Sequence, residues 1–274
     1  MNASKRRDIP LFDQPLIETH CHLDYLPAEE LEAVLQRSFA VGIERLLTIA
    51  VSPDNLQVVR DIAARYPQVW CTQGVHPHEA QHFDDTVAAD IRAGCADPRV
   101  LAVGEIGLDY HYDHSPREQQ RRTFAQQLEI AAAAELPVVI HTREADADTQ
   151  AILAEYLPQL PRRGVIHSFS SGPALAEFCL EAGFLLGFNG MVTFRRAENV
   201  RAVVAATPLE QLLLETDAPY LTPVPWRGHR NAPFYLPFVA EKIAAVKALT
   251  IDDLLRAARA NSERLFRFPA GAAA

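Results

Sequence analysis

Short apolar runs alternate along the whole chain with longer segments in which apolar residues recur three and four positions apart. The short runs predict strands at 16–20 (LIETH), 45–51 (RLLTIAV), 69–75 (VWCTQGV) and 100–106 (VLAVGEI). Four more are predicted at 136–141 (LPVVIH), 164–169 (GVIHSF), 184–189 (FLLGFN) and 211–217 (QLLLETD). They are built mainly of Val, Ile and Leu, as strands buried on both faces of a parallel sheet are. The intervening segments, such as AEELEAVLQRSFA and PREQQRRTFAQQLEIAAAA, have helical period. Ser52-Pro53-Asp54, Ser115-Pro116-Arg117 and Ser171-Gly172-Pro173 predict helix starts. Eight strand–helix units in sequence predict an α/β fold, a (β/α)8 TIM-like barrel with its site at the C-terminal face of the strands. An open doubly wound sheet is the competitor, but its GxGxxG turn is missing. With no internal repeat or linker, one domain over 16–268 is expected, preceded by an extension (1–15) and followed by a tail (269–274).

Chemistry concentrates at the predicted strand ends. His20, His22, His76, His141 and His167 stand there, with Glu105 and Asp217. In a barrel these ends share one mouth. Period-two alternation puts His20 and His22 on one side of the first strand and Cys21 on the other, so both imidazoles can bind one metal. Glu105 lies between two glycines, read as bulk removed around a carboxylate, and its two oxygens can bridge two ions. Asp217 combines a ligand with a proton acceptor. Four histidines and two carboxylates exceed what one tetrahedral ion needs, which points to a binuclear site. Imidazole-rich ligation favours Mn²⁺ or Zn²⁺ over Mg²⁺ as the tightest binder. His76 and His78 in GVHPHEA exceed the ligand count and are expected to donate to a phosphate or act as general acid. Arg143 is placed to pair with a phosphate oxygen or with Glu144. Arg195, Arg196, Arg227, His229 and Arg230 form a modest cationic rim, and Trp226 and Phe194 are candidates for stacking a base.

Composition narrows the partners. Of 274 residues, 49% are hydrophobic and 22% charged, enough for a large core. Lys+Arg 26 against Asp+Glu 35 leaves −9, so any polyanion must be met at a local site. The four cysteines show no CxxC spacing and are expected to be reduced. Neither a signal peptide nor a membrane span is evident, so a cytoplasmic protein is expected, without membrane contact or an obligate protein partner; a monomer is compatible with this. The nucleophile elbow, P-loop and HExxH motifs are missing.

Read together, ETHCHLD (18–24), GVHPHEA (74–80), GEIGLDY (104–110), IHTREA (140–145), HSFSS (167–171), ETDAPYL (215–221) and NSERLF (261–266) closely resemble the TatD-type metal-dependent deoxyribonucleases. These belong to the amidohydrolase-like metal-dependent hydrolases. The resemblance runs in order from about 16 to 268. It implies a binuclear site whose ligands map onto His20, His22, Glu105, His141, His167 and Asp217. It further implies hydrolysis of DNA phosphodiesters by a metal-activated water, often 3′ to 5′ on single-stranded ends, with Mg²⁺, Mn²⁺ or Zn²⁺. Glu18 stands where the family commonly has Asp, a departure confined to the surroundings of the ligands. Two alternatives stay open: a hydrolase of a small ester, amide or phosphate, and a non-enzymatic metal-containing binding protein.

Overall fold

The computed structural model describes residues 7–269. All eight expected strands form: β1 (Leu16–Cys21), β2 (Ile43–Thr48), β3 (Val69–Gln73), β4 (Val100–Asp109), β5 (Val138–Arg143), β6 (Gly164–Ile166), β7 (Leu185–Phe188) and β8 (Leu212–Leu214). Between them run α1 (Ala28–Ala40), α2 (Leu56–Arg65), α3 (Asp85–Gly94), α4 (Arg117–Ala134), α5 (Asp146–Tyr156), α6 (Pro173–Glu181) and α7 (Glu198–Ala206). The helices α8 (Leu236–Lys247) and α9 (Ile251–Phe266) follow β8. Each strand pairs in parallel with the next, from β1 through to β8.

The sheet curls into a nearly closed barrel. A parallel bridge joins Cys21 to Ala218, and the Thr19 hydroxyl donates to Leu214 O at 2.9 Å. The Asp217 N–H donates to His20 O at 2.9 Å, so the seam itself sets two site residues side by side.

Alternation divides the apolar residues into two layers. Leu47, Trp70, Leu101, Val139, Val165, Leu185 and Leu213 form one cluster, the filling of the barrel. Their neighbours Leu46, Val69, Val100, Val138, Ile166, Leu186 and Leu212 belong to the larger cluster shared with the helices. Leu265 and Phe266 at the end of α9 join the barrel filling, and Asn261 donates to Leu209 O and Leu212 O. The NSERLF motif is therefore structural.

Helical turns begin at all three expected starts, at Pro53, Arg117 and Pro173, but of the three serines only Ser52 caps, in a capping box with Asn55. Ser115 instead donates to His78 O, and Ser171 to Asp146 Oδ1. In both cases a polar group of another segment competes for the hydroxyl. Within the expected extension, Ile9 and Phe12 pack against the core and Arg7 pairs with Glu241. The parts of the extension and tail at 1–6 and 270–274 lie outside the described residues. Among the described residues no helix is long and apolar enough to cross a membrane.

Candidate metal centre

His20, His22, Glu105, His141, His167 and Asp217 converge at the strand ends, all but His141 buried. Glu105 is the hub. Its Oε2 lies 3.3 Å from His20 Nε2, while its Oε1 lies 3.1 Å from His141 Nδ1 and 3.0 Å from His167 Nε2. On the other flank, Asp217 Oδ1 lies 3.5 Å from His22 Nε2 and 3.9 Å from His20 Nε2. The rings of His20 and His167 stack, with centroids 3.7 Å apart and planes 9° apart.

The separations around Glu105 fit a shared metal. Two ligand atoms bound at about 2.1 Å and roughly 90–110° apart lie about 3.0–3.4 Å from each other. Neither nitrogen of His20 has a hydrogen-bond partner among the described residues, a costly state for a buried imidazole that a cation relieves. Donor atoms within 4.8 Å of one another form the groups His20–His22–Asp217, His20–Glu105–His167 and His76–Glu105–His141. Burial works against charge on Glu105, yet the charge of His167 and the hydrogen bond from His141 outweigh it and hold the carboxyl well below the usual range.

His76 meets the distance criterion but not the chemistry of a ligand. Its Nδ1 accepts the His78 N–H at 3.1 Å, and burial drives its pKa well down, so the ring is neutral. The proton must then sit on Nε2, which faces Glu105 Oε1 at 3.4 Å as a donor. His78 is bound by Nε2 to Asp109 Oδ2 at 3.0 Å.

Several expectations are corrected. The glycines flanking Glu105 do not clear space for its carboxylate. A Cβ on Gly104 would lie 2.6 Å from Val139 Cβ, and one on Gly107 (φ +136°) 2.0 Å from His141 O. Both admit the backbone of β5 instead. Arg143 does not pair with Glu144, which binds His111 Nδ1 at 2.7 Å; its guanidinium lies 5.0 Å from the Tyr112 ring centroid, still at the cleft. Arg195, Arg196, Arg227, His229 and Arg230 do not line the cleft. Arg230 pairs with Glu30, and Arg227 covers the Phe194 ring at 3.7 Å. Trp226 packs on the core, stacked on Tyr235.

Sequence reasoning passed over Asp109, Glu215 and the tyrosines. Asp109 Oδ2 takes contacts from both His78 and His141 at 3.0 Å. Glu215 Oε1 accepts the Ser168 N–H at 2.6 Å and lies 3.4 Å from His167 Nδ1. Period two already pointed to both, through Glu105–Gly107–Asp109 and Leu213–Glu215–Asp217. The centre opens into a cleft of roughly 640 Å³ whose walls include Tyr25, Tyr112, Tyr220, His78 and Arg143.

A family model described as TatD related DNase matches residues 17–267. The chain belongs to the TatD family of metal-dependent hydrolases. It is 36% identical over 253 residues to a Bacillus subtilis relative named as an uncharacterized metal-dependent hydrolase, covering 92% of this chain and 99% of that one. It is 37% identical over 262 residues to a Cronobacter turicensis relative named 3′-5′ ssDNA/RNA exonuclease TatD, covering 93% and 97%. The crystal structure of a TatD homolog from Escherichia coli superposes with a TM-score of 0.88 at 32% identity, covering 93% of this chain and 98% of that one. This TatD-family chain is thus a metal-dependent hydrolase in fold, family and donor set.

Proposed function

We propose that this hydrolase cleaves phosphodiester bonds in nucleic acid, removing nucleotides 3′ to 5′ from single-stranded DNA ends, within one domain spanning 16–268. The observation that carries the reading is Glu105, whose two oxygens face separate sets of imidazoles at the floor of a wide cleft. His20, His22 and Asp217 would hold one divalent ion, and His141 and His167 a second, with Glu105 shared between them. Mn²⁺, Zn²⁺ and Mg²⁺ are the candidates. When bound, such ions neutralise phosphate charge and lower the pKa of an attacking water.

The chain's own groups do the rest. Burial works against charge on Asp217, but its hydrogen bond to His22 and the charge of His167 keep it ionised, able to take the proton of the attacking water. His76 and His78 line the cleft beside Glu105 and Asp109 and would contact the phosphate or the leaving group. Arg143 supplies a positive charge at the rim for the neighbouring phosphate. A local cationic wall of this kind is what a chain of net charge −9 needs to receive a polyanion.

The test is nucleotide release from single-stranded DNA labelled at its 5′ or 3′ end, with an RNA strand in parallel. Metal-stripped protein is used with added Mn²⁺ or Mg²⁺, and Glu105→Ala controls for contaminating nuclease. Metal-dependent laddering that is absent in the variant is the expected result, and it reads the polarity. Silence from folded, ion-loaded protein would leave a small ester, amide or phosphate as the substrate class.

A further inference from the structure

Among the described residues five large apolar or aromatic side chains are exposed, and three of them line the metal cleft: Tyr25 (43%), Tyr112 (53%) and Tyr220 (54%). Aromatic rings left in water and gathered at one mouth mark a surface kept for a partner. The three are not equivalent. Tyr25 already stacks on the His22 ring at 5.1 Å and 15°. Tyr112 has the His114 ring parallel to it and the Arg143 guanidinium 5.0 Å from its centroid. Tyr220 meets His22 and Tyr25 only at steep angles, 68° and 81°, so no described ring lies parallel against it.

Tyr220 is also held firmly. Its N–H donates to Asp217 O at 2.8 Å, closing a turn directly after that residue. Buried Asn231 clamps the same turn: its side chain donates to Thr216 O at 2.9 Å and to Tyr220 O, and its N–H donates to Pro219 O at 3.1 Å. The backbone that carries this exposed ring is thereby fixed three residues from the Asp217 carboxylate.

We propose that Tyr220 is a base-stacking platform, taking a nucleobase that flanks the scissile phosphate; this rests on the nuclease reading above. Stacking suits an enzyme that works along an end, because every base presents a π face and no hydrogen-bond readout is required. Tyr25 braces the platform by its edge contact. The platform is indifferent to the sugar and so accepts DNA and RNA alike.

The experiment compares kcat/KM on three single-stranded oligonucleotides: unmodified, with an abasic analogue at the terminal nucleotide, and with one at the penultimate nucleotide. Wild-type protein is expected to lose roughly 5- to 150-fold on one abasic substrate, the range for one stacked base. Tyr220→Leu should erase that difference and Tyr220→Phe should keep it. Tyr220→Leu discriminating like wild type, or wild type indifferent to the abasic positions, overturns the platform while leaving the nuclease reading intact. Failure of folded, metal-loaded wild type to cleave any of the three overturns the nuclease reading and the platform with it.

Discussion

The Nε2 atom of His141 lies 3.0 Å from Oδ2 of Asp109, and that contact decides what the other ring nitrogen does. An ionised carboxylate only accepts, so Nε2 carries the hydrogen and the Nδ1 lone pair faces Glu105 Oε1 at 3.1 Å. Burial opposes the charge on Asp109, but the hydrogen bonds from His141, His78 and the Tyr112 N–H hold its pKa far down. Carboxylate, imidazole and candidate metal position thus stand in series, the arrangement that fixes a ligand's tautomer and raises its basicity.

Asp109→Asn therefore should weaken metal binding about 10- to 100-fold without unfolding the protein. Asn keeps an Oδ1 to accept the backbone N–H groups of His111 and Tyr112, now served by Asp109. A competition titration against a chromogenic chelator reads the affinity directly. An affinity equal to wild type would show that Asp109 does not orient His141.

Glu105 and His22 should differ in how many ions they cost. His22 belongs to one donor group, whereas Glu105 faces His20 with one oxygen and His141 and His167 with the other. His22→Ala should retain about one ion per chain, and Glu105→Ala less than one, with turnover at background. Elemental analysis of gel-filtered protein counts the ions, and circular dichroism checks the fold. A Glu105→Ala protein that still carries two ions would remove the bridging role.

Much of this was legible because strand residues obey a period of two. Once His20 and His22 were placed on the interior side of β1, the barrel rule alone carried Glu105, His141, His167 and Asp217 to the same mouth. What stayed hidden depends on contacts between loops that follow different strands. Arg143 turns to the Tyr112 ring because His111 has already taken Glu144, a choice that no local pattern encodes. Trp226 was the conspicuous aromatic in the sequence, yet it is drawn onto the core, while Tyr220 is left facing the cleft. The helices after Ser115 and Ser171 start where their signatures place them, but each hydroxyl found a partner from another segment. Local propensity names the candidates for such positions, and tertiary competition picks among them.

Glu18 offers a third prediction. The side chain is fully buried, and burial pushes its pKa up to about 8. Oε1 accepts the N–H groups of His20 and Thr216, each at 3.0 Å, while Oε2 has no partner among the described residues. At neutral pH the group is therefore mostly a neutral acid serving as an acceptor. Glu18→Gln keeps that oxygen and should leave urea unfolding close to wild type. Glu18→Ala strands two buried donors, at about 1–3 kcal/mol each. Equal destabilisation by both substitutions would mean that a charged carboxylate is required.

The thiols give a test that reads pH dependence. Cys21, Cys71, Cys95 and Cys179 are all free, and only Cys95 is less than fully buried. Burial pushes both Cys95 and Cys179 up to about 12 and raises Cys21 and Cys71 as well. The thiolate is the nucleophile, so a pKa four units above pH 8 leaves about one thiol in ten thousand reactive, against roughly a quarter for an ordinary cysteine. Raising the pH from 7 to 10 stays below the folded value throughout. Labelling of native protein by an aromatic disulfide should therefore be slow and should accelerate about tenfold per pH unit across that window. In denaturant all four thiols should react together, with a rate that levels off above about pH 8.5. A rapid one-thiol burst from native protein at pH 7 would place Cys95 in an electropositive, solvent-open setting that its burial does not allow.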